Sequence, residues 1–357
     1  ADLRPTVNAM AMAFTRKQAA HIARRTQVAK SGRLDMNKLV NYKLTEDIFL
    51  KTQQRPDGKN HALTVVIDWS GSMNGKCQST IKQAVTLAMF CKKVNVPCEV
   101  YLFTSEYDTV FNDGTIENNA KLLQILDTSV RNNLFNQDVT TALFLGESAD
   151  DYRMFTLDGF NLGSTPLGAA LTISKFTHQS LMARTNAEVG NIIFLTDGQG
   201  DHGVQNRGSK AVVVTDPTSR RSYTAQASEY GRNIGQMAIC DWIRGETGSK
   251  VINFFMTGKR EGQNMLEYSS TPAQRDQNVK TWKKERWGLL SQEKAAREGW
   301  DAAFVVYDNA ATDVDDAMDN LEDDASKAKI RNAYVKSLQS RAACRPLVEK
   351  ITDFIAA

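Results

Sequence analysis

Three separated segments of this sequence carry oxygen-bearing side chains in a pattern that suits one kind of chemistry. The first, Val65-Val66-Ile67-Asp68-Trp69-Ser70-Gly71-Ser72-Met73, is an apolar run ending in one carboxylate and two hydroxyls spaced Asp-x-Ser-x-Ser. The second, Gly163-Ser164-Thr165-Pro166-Leu167, brings a hydroxyl on a turn. The third, Ile192-Ile193-Phe194-Leu195-Thr196-Asp197-Gly198, ends a further apolar run in a carboxylate. Hard oxygens suit Mg²⁺, which takes a near-octahedral shell at about 2.0–2.1 Å and commonly retains waters. Hydroxyls donate little negative charge, so Asp68 and Asp197 barely neutralise a dication. Such an ion keeps an electrophilic position, and an outside Asp or Glu is its natural filler. This reading makes the cluster a glue for an acidic partner rather than a reaction centre.

The elements around these segments must bring them together. Apolar runs at 63–69, 99–104, 191–196, 251–256 and 303–307 read as strands. Helical spacing appears at 78–94, 116–126, 167–182 and 228–244, with Pro166 at a favourable helix start. Strand–helix alternation with apolar strands predicts an α/β fold: a doubly wound, mostly parallel sheet with helices on both faces. Ligands in such sheets bind beyond the carboxyl ends of the strands, where Asp68 and Asp197 both fall. The segments 210–215 and 221–225 flank Asp216-Pro217-Thr218-Ser219 and read as a hairpin. The first 30 residues read as helix ending near Ser31-Gly32, with a short helix and an extended piece over 34–50. A hairpin partner is expected at 108–111 and a terminal amphipathic helix at 347–355, while 140–160 fits strand and helix equally.

Bulk properties bound the function. The 357 residues are 41% hydrophobic and 24% charged, ordinary for a globular chain that buries a sizeable core. A net charge of +3 does not point to nucleic acid. The charge is unevenly spread: residues 1–45 are basic, whereas Asp313, Asp315, Asp316, Asp319, Glu322, Asp323 and Asp324 form an acidic cluster. Between 258 and 300 lies a polar insert in which Trp282 and Trp287 neighbour Lys280, Lys283, Lys284 and Arg286. These tryptophans either stack on a nucleic acid or partner, or pack inward as is commoner. Cys77, Cys91, Cys98, Cys240 and Cys344 are odd in number and lack zinc spacing, so they read as reduced, packed thiols. No apolar run is long enough to span a membrane and no secretion signal is evident, so the expected location is cytoplasmic.

Catalytic alternatives find less support. Asp-Trp-Ser-Gly-Ser lacks the leading Gly of a nucleophile elbow, and Asp68 lacks the second Asp of aspartyl-phosphate hydrolases. Among the histidines His21, His61, His178 and His202 no spacing selects a base; His202, five residues after Asp197, is the best candidate and reads as a loop residue beside Asp201. No P-loop motif is present, so any ATPase belongs to another subunit.

The ordered trio of motifs resembles the metal-ion-dependent adhesion site of von Willebrand factor A domains. That resemblance implies a Rossmann-like fold and a metal shell of Asp68, Ser70, Ser72, Thr165 and Asp197 holding Mg²⁺ or Mn²⁺. It covers about residues 60–310, leaving a basic helical extension at 1–59 and an acidic segment with a helix at 311–357. The flanking Ser31-Gly32-Arg33-Leu34-Asp35 and the tail near Asp353-Phe354-Ile355-Ala356 resemble the cobaltochelatase CobT-type branch and its phage-encoded relatives. This implies a MoxR-like or CobS-like AAA+ ATPase, or its client, as the partner offering the acid. The 258–300 insert and the missing acidic linker depart from that branch. Two rival expectations follow from it: a chelatase subunit inserting metal into a tetrapyrrole, or a phage structural or assembly protein in the host cytoplasm or virion.

Overall fold

The computed structural model describes residues 3–25, 27–29, 43, 52–54, 60–106, 119–150, 160–198, 211–226, 233–269 and 272–308. Along the chain come α1 (Arg4–Arg25), β1 (Gln27–Ala29), β2 (Thr52–Gln54), β3 (His61–Asp68), α2 (Cys77–Lys93), β4 (Cys98–Glu106) and β5 (Asn119–Asp127). Then follow α3 (Asn132–Asp150), α4 (Leu167–Thr185), β6 (Val189–Thr196), β7 (Ala211–Thr215), β8 (Ser222–Gln226) and α5 (Ile234–Thr247). The last are β9 (Lys250–Thr257), α6 (Lys259–Ser269), α7 (Pro272–Glu285), β10 (Trp287–Leu289), α8 (Gln292–Arg297) and β11 (Ala302–Tyr307).

Strands β3 and β6 are buried at every residue but the first. Runs without alternation fit only strands covered on both faces, and these two lie side by side in the middle of a seven-stranded sheet ordered β10-β11-β9-β6-β3-β4-β5. The inner pairings are parallel, and the edge strands β10 and β5 run antiparallel. Side chains alternate between two cores. Leu63, Val65 and Ile67 of β3 join Phe14 of α1, Ile81 and Val85 of α2 and Phe135 of α3. Val66 joins Leu171 of α4 and Ile239 and Ile243 of α5 on the other side. Helix α1 is held by one stripe, Val7, Met10, Ala11 and Phe14, whose last ring meets Phe90 edge-on at 5.6 Å.

The chain leaves β3 for β4 on one side, then returns to β6 on the other. The reversal falls at the carboxyl ends of β3 and β6, the position where ligands of open α/β sheets bind.

Several sequence expectations are corrected. Residues 119–127 form β5, not a helix over 116–126, and pair antiparallel with β4 from Glu99↔Asp127 to Glu106↔Asn119. The cluster Leu122, Leu123, Ile125 and Leu126 fits either period, and the open edge of β4 supplies the backbone partners that decide it. Helix α1 stops at Arg25, ahead of the expected Ser31-Gly32, and Gln27–Ala29 pairs with Thr52–Gln54 instead. The undecided stretch 140–160 is helical through Asp150, as part of α3. The expected elements at 34–50, 108–111 and 347–355 and the acidic cluster at 313–324 lie outside the described residues.

The segment 258–300 supplies α6, α7, β10 and α8, with β10 paired to β11. Trp282 is buried, donates from Nε1 to the Lys259 carbonyl at 3.1 Å and meets Tyr307 edge-on. Trp287 packs against Phe304, so both tryptophans serve the core. Cys77, Cys91, Cys98 and Cys240 are buried and unpaired, while Cys344 lies outside the described residues. Among the described residues no helix is long and apolar enough to cross a membrane.

His178 is packed inside the fold. Its Nδ1 lies 2.8 Å from Thr64 Oγ1 and its Nε2 lies 3.0 Å from Ser249 Oγ. A neutral ring meets both, and burial lowers its pKa to about 4. The unfolded chain therefore binds the extra proton first: stability from this group is whole near neutrality and falls as pH drops from about 6.5 towards 4. Urea titrations near pH 7 and pH 4.5 are expected to show a loss of about 2–3 kcal/mol in the native chain beyond that in His178→Gln. Equal losses in both chains would remove the assignment.

Candidate functional site

The cluster is built from the end of β3 outward. Trp69, fully buried, anchors the chain: its amide donates to the Phe103 carbonyl at 2.9 Å and its indole to the Phe160 carbonyl at 2.8 Å. Ser70 then forms a parallel bridge with Gly163. The Gly71 amide donates to the Gly163 carbonyl at 2.9 Å, and the Gly163 amide to the Trp69 carbonyl at 3.2 Å. The segment carrying Thr165 is thus laid along the Asp-x-Ser-x-Ser loop. From its other side β4 holds it, with Ser105 Oγ 2.6 Å from Ser164 Oγ and accepting the Ser164 amide at 2.9 Å. A Cβ at Gly163 would stand 2.4 Å from the Ser105 carbonyl, so this close approach requires glycine.

The hydroxyls and carboxylates form a chain of contacts. Ser70 Oγ lies 3.0 Å from Ser72 Oγ, and Ser72 donates to Asp197 Oδ1 at 2.9 Å. Asp68 accepts from Thr196 Oγ1 at 2.8 Å through Oδ2. Its other oxygen, Oδ1, is buried with no hydrogen-bond partner. Burial, with Asp197 adding to it, pushes the Asp68 carboxyl up to about 7, against the lowering influence of the Thr196 bond and of nearby Ser70. The cluster runs from Asp68, fully buried, through Ser70 and Thr165 to Ser72 at the surface. Asp197 Oδ2 carries an ion pair with Lys76 Nζ at 2.7 Å.

Four of the five expected residues, Asp68, Ser70, Ser72 and Asp197, are therefore linked by hydrogen bonds or charge at the ends of β3 and β6. Thr165 is placed by the Ser70–Gly163 bridge two residues before it. His202 and Asp201 lie outside the described residues. Sequence reasoning missed Thr196, Lys76 and Asp150. Thr196 stands beside Asp197 in sequence, and the register of β3 on β6, ending at Ile67↔Leu195, sets it across from Asp68. Asp150, at the end of α3, accepts from the amides of Gly75, Cys77 and Gln78 at 2.7–3.1 Å and so caps α2, which lacks a cap of its own. No local pattern could have signalled that pairing.

A hard divalent ion suits this arrangement. A buried carboxylate oxygen without a donor is costly unless a cation or hydrogen bond meets it. The available oxygens, carboxylate and hydroxyl, are Mg²⁺ or Mn²⁺ ligands by type. Among the described residues no group of three or more His, Cys, Asp or Glu is arranged to hold a metal. An ion here would therefore depend on hydroxyls beside its two carboxylates.

No family model matches the chain, and no curated protein matches it either. Among solved structures it is similar to the pilus adhesin SpaC from Lactobacillus rhamnosus GG in its open conformation, at 13% identity and TM-score 0.33, over 56% of this chain and 24% of that one. It is also similar to three N-terminal domains of the type V pili tip protein Mfa5 from Porphyromonas gingivalis, at 12% and 0.30, over 55% and 42%. Proximal thread matrix protein 1 from the mussel byssus matches at 14% and 0.29, over 60% and 42%. The chain spans less than half the length of each, and likenesses this slight carry no argument.

Proposed function

We propose that this chain carries a doubly wound von Willebrand factor A-type domain that binds a partner protein through Mg²⁺ or Mn²⁺. Asp68, Ser70, Ser72, Thr165 and Asp197 would hold the ion, which when bound supplies a Lewis-acidic position for a carboxylate of the partner. The observation that carries this reading is the partnerless buried oxygen of Asp68, next to the Ser70–Ser72–Asp197 chain of contacts. The protein's own side chains orient one another and shield Asp68, while the exposed Ser72 leaves the cluster open to an incoming group. The cluster's hydroxyls are tied to one another and to Asp197, which is itself paired with Lys76, and this supports adhesion rather than catalysis. The partner is an AAA+ ATPase of the MoxR or CobS type, or its client, an assignment that rests on the CobT-type resemblance of Ser31-Gly32-Arg33-Leu34-Asp35 and the metal loop.

The test is co-purification of the full chain with a MoxR- or CobS-type AAA+ ATPase, in Mg²⁺, in EDTA, and with Asp68→Ala. Retention in Mg²⁺ that disappears in EDTA and in the variant is the expected result. Retention indifferent to both would remove the metal bridge.

A further inference from the structure

Lys76 sits where helix physics gives it no reason to be. It is the residue immediately before α2, at the N-cap, and makes no side-chain cap. Ser, Thr, Asp and Asn are the residues that stabilise this position, and a cation there opposes the helix dipole. What Lys76 does touch is Asp197. Its ammonium takes Oδ2 at 2.7 Å while Ser72 donates to Oδ1 at 2.9 Å, so both oxygens of that carboxylate are engaged.

The backbone and side chain of Lys76 differ in freedom. Its carbonyl accepts from the Thr80 amide, the Thr80 hydroxyl and the Ser79 hydroxyl at 2.9–3.0 Å, which fixes the main chain to the first turn of α2. Gly75 precedes it in the left-handed region at φ 81. The Lys76 side chain is 23% exposed, against 6% for Asp197, so the ammonium lies on the solvent side of the pair. A four-carbon stem can swing that ammonium into water without moving the backbone.

The geometry points to Lys76 as a tethered cation that competes with the divalent ion for Asp197, holding the carboxylate in place and weakening metal binding until it is displaced. This rests on the reading of the cluster as a divalent-cation site. An ammonium and a dication repel strongly at contact distance, and Oδ2 cannot serve both. A lysine here therefore does two opposed things. It satisfies a carboxylate that is mostly buried, and it raises the metal concentration needed to load the site. The chain would load fully only where metal is abundant, or where an incoming acid adds the negative charge that favours the dication.

The probe is Mn²⁺, whose free fraction is read by electron paramagnetic resonance at one fixed pH, with the full chain as wild type, Lys76→Met and Lys76→Arg. Lys76→Met is expected to bind Mn²⁺ about tenfold more tightly, which is about 1.4 kcal/mol. In chelator its unfolding midpoint is expected below the wild type, with a larger rise on adding Mn²⁺. Lys76→Arg keeps the charge and is expected to stay near the wild type in affinity. A Lys76→Met affinity equal to or weaker than wild type overturns the competition while leaving the metal site standing. Absence of Mn²⁺ binding in all three chains overturns the metal site, and the competition with it.

Discussion

Asp216→Ala is expected to lower the unfolding midpoint by on the order of 10 °C. Asp216 begins the turn between β7 and β8, and despite that position it is 1% exposed. Its Oδ2 accepts from Lys175 Nζ at 2.7 Å and from Trp242 Nε1 at 2.8 Å, while Oδ1 accepts the amides of Thr218 and Ser219. The Lys175 ammonium, with the Ser219 amide next in weight, holds this carboxyl well below the ordinary range. Lys175 itself is buried on α4, with its ammonium 4.6 Å from the Phe176 ring centre and 4.7 Å from that of Trp242. Removing the carboxylate strands a buried cation and an indole donor together, which is the costly way to break a buried pair. Lys175→Met in the same background should recover much of the loss, because it removes the stranded charge. Thermal unfolding followed by circular dichroism reads both chains. A midpoint for Asp216→Ala within a degree or two of the wild type would mean that the hairpin is not tied to α4 and α5 through this pair.

That anchor shows why the sequence was readable in some places and not others. The Ala211–Gln226 hairpin was legible from its strand residues and the Asp-Pro-Thr-Ser turn, yet Asp216 looked like an ordinary turn former. Its partners Lys175 and Trp242 are 41 and 26 residues away, and only the fold brings them to it. The same division holds in the sheet. β3 and β6 announced themselves because strands buried on both faces are apolar through most of their length. β5 did not, because Leu122, Leu123, Ile125 and Leu126 satisfy a helical period as well as a half-buried edge. The candidate oxygen residues stood out by their types, with Asp68, Ser70, Ser72 and Asp197 at or just beyond strand ends and Thr165 on the turn before α4. The side chains that position them were not: Thr196 depends on strand register, Asp150 on where α3 ends, and Lys76 on a turn at Gly75.

Asp68→Asn is expected to separate stability from function. The wild-type carboxylate is fully buried, with Thr196 on one oxygen and nothing on the other. Its pKa in the folded chain is raised from 3.8 to about 7, chiefly by burial. A raised acid pKa means that the folded state favours the proton more than the unfolded state does. The group therefore weakens folding increasingly as pH rises from the unfolded value through the folded one, and the full penalty is present in mildly alkaline buffer. A neutral amide of the same shape removes that charge and can still accept from Thr196. In chelator above about pH 7.5 the variant should thus match or exceed the wild type, by about 1–3 kcal/mol at most. Saturating Mn²⁺ should reverse the order. At a hundredfold excess over the dissociation constant the wild type gains about 2.7 kcal/mol, whereas an amide whose nitrogen faces the ion gains none. Urea denaturation with and without Mn²⁺ measures both halves in one experiment. Equal Mn²⁺ stabilisation of the two chains would show that Asp68 holds no metal. A variant much weaker than wild type in chelator would instead show that the buried oxygen has a protein partner after all.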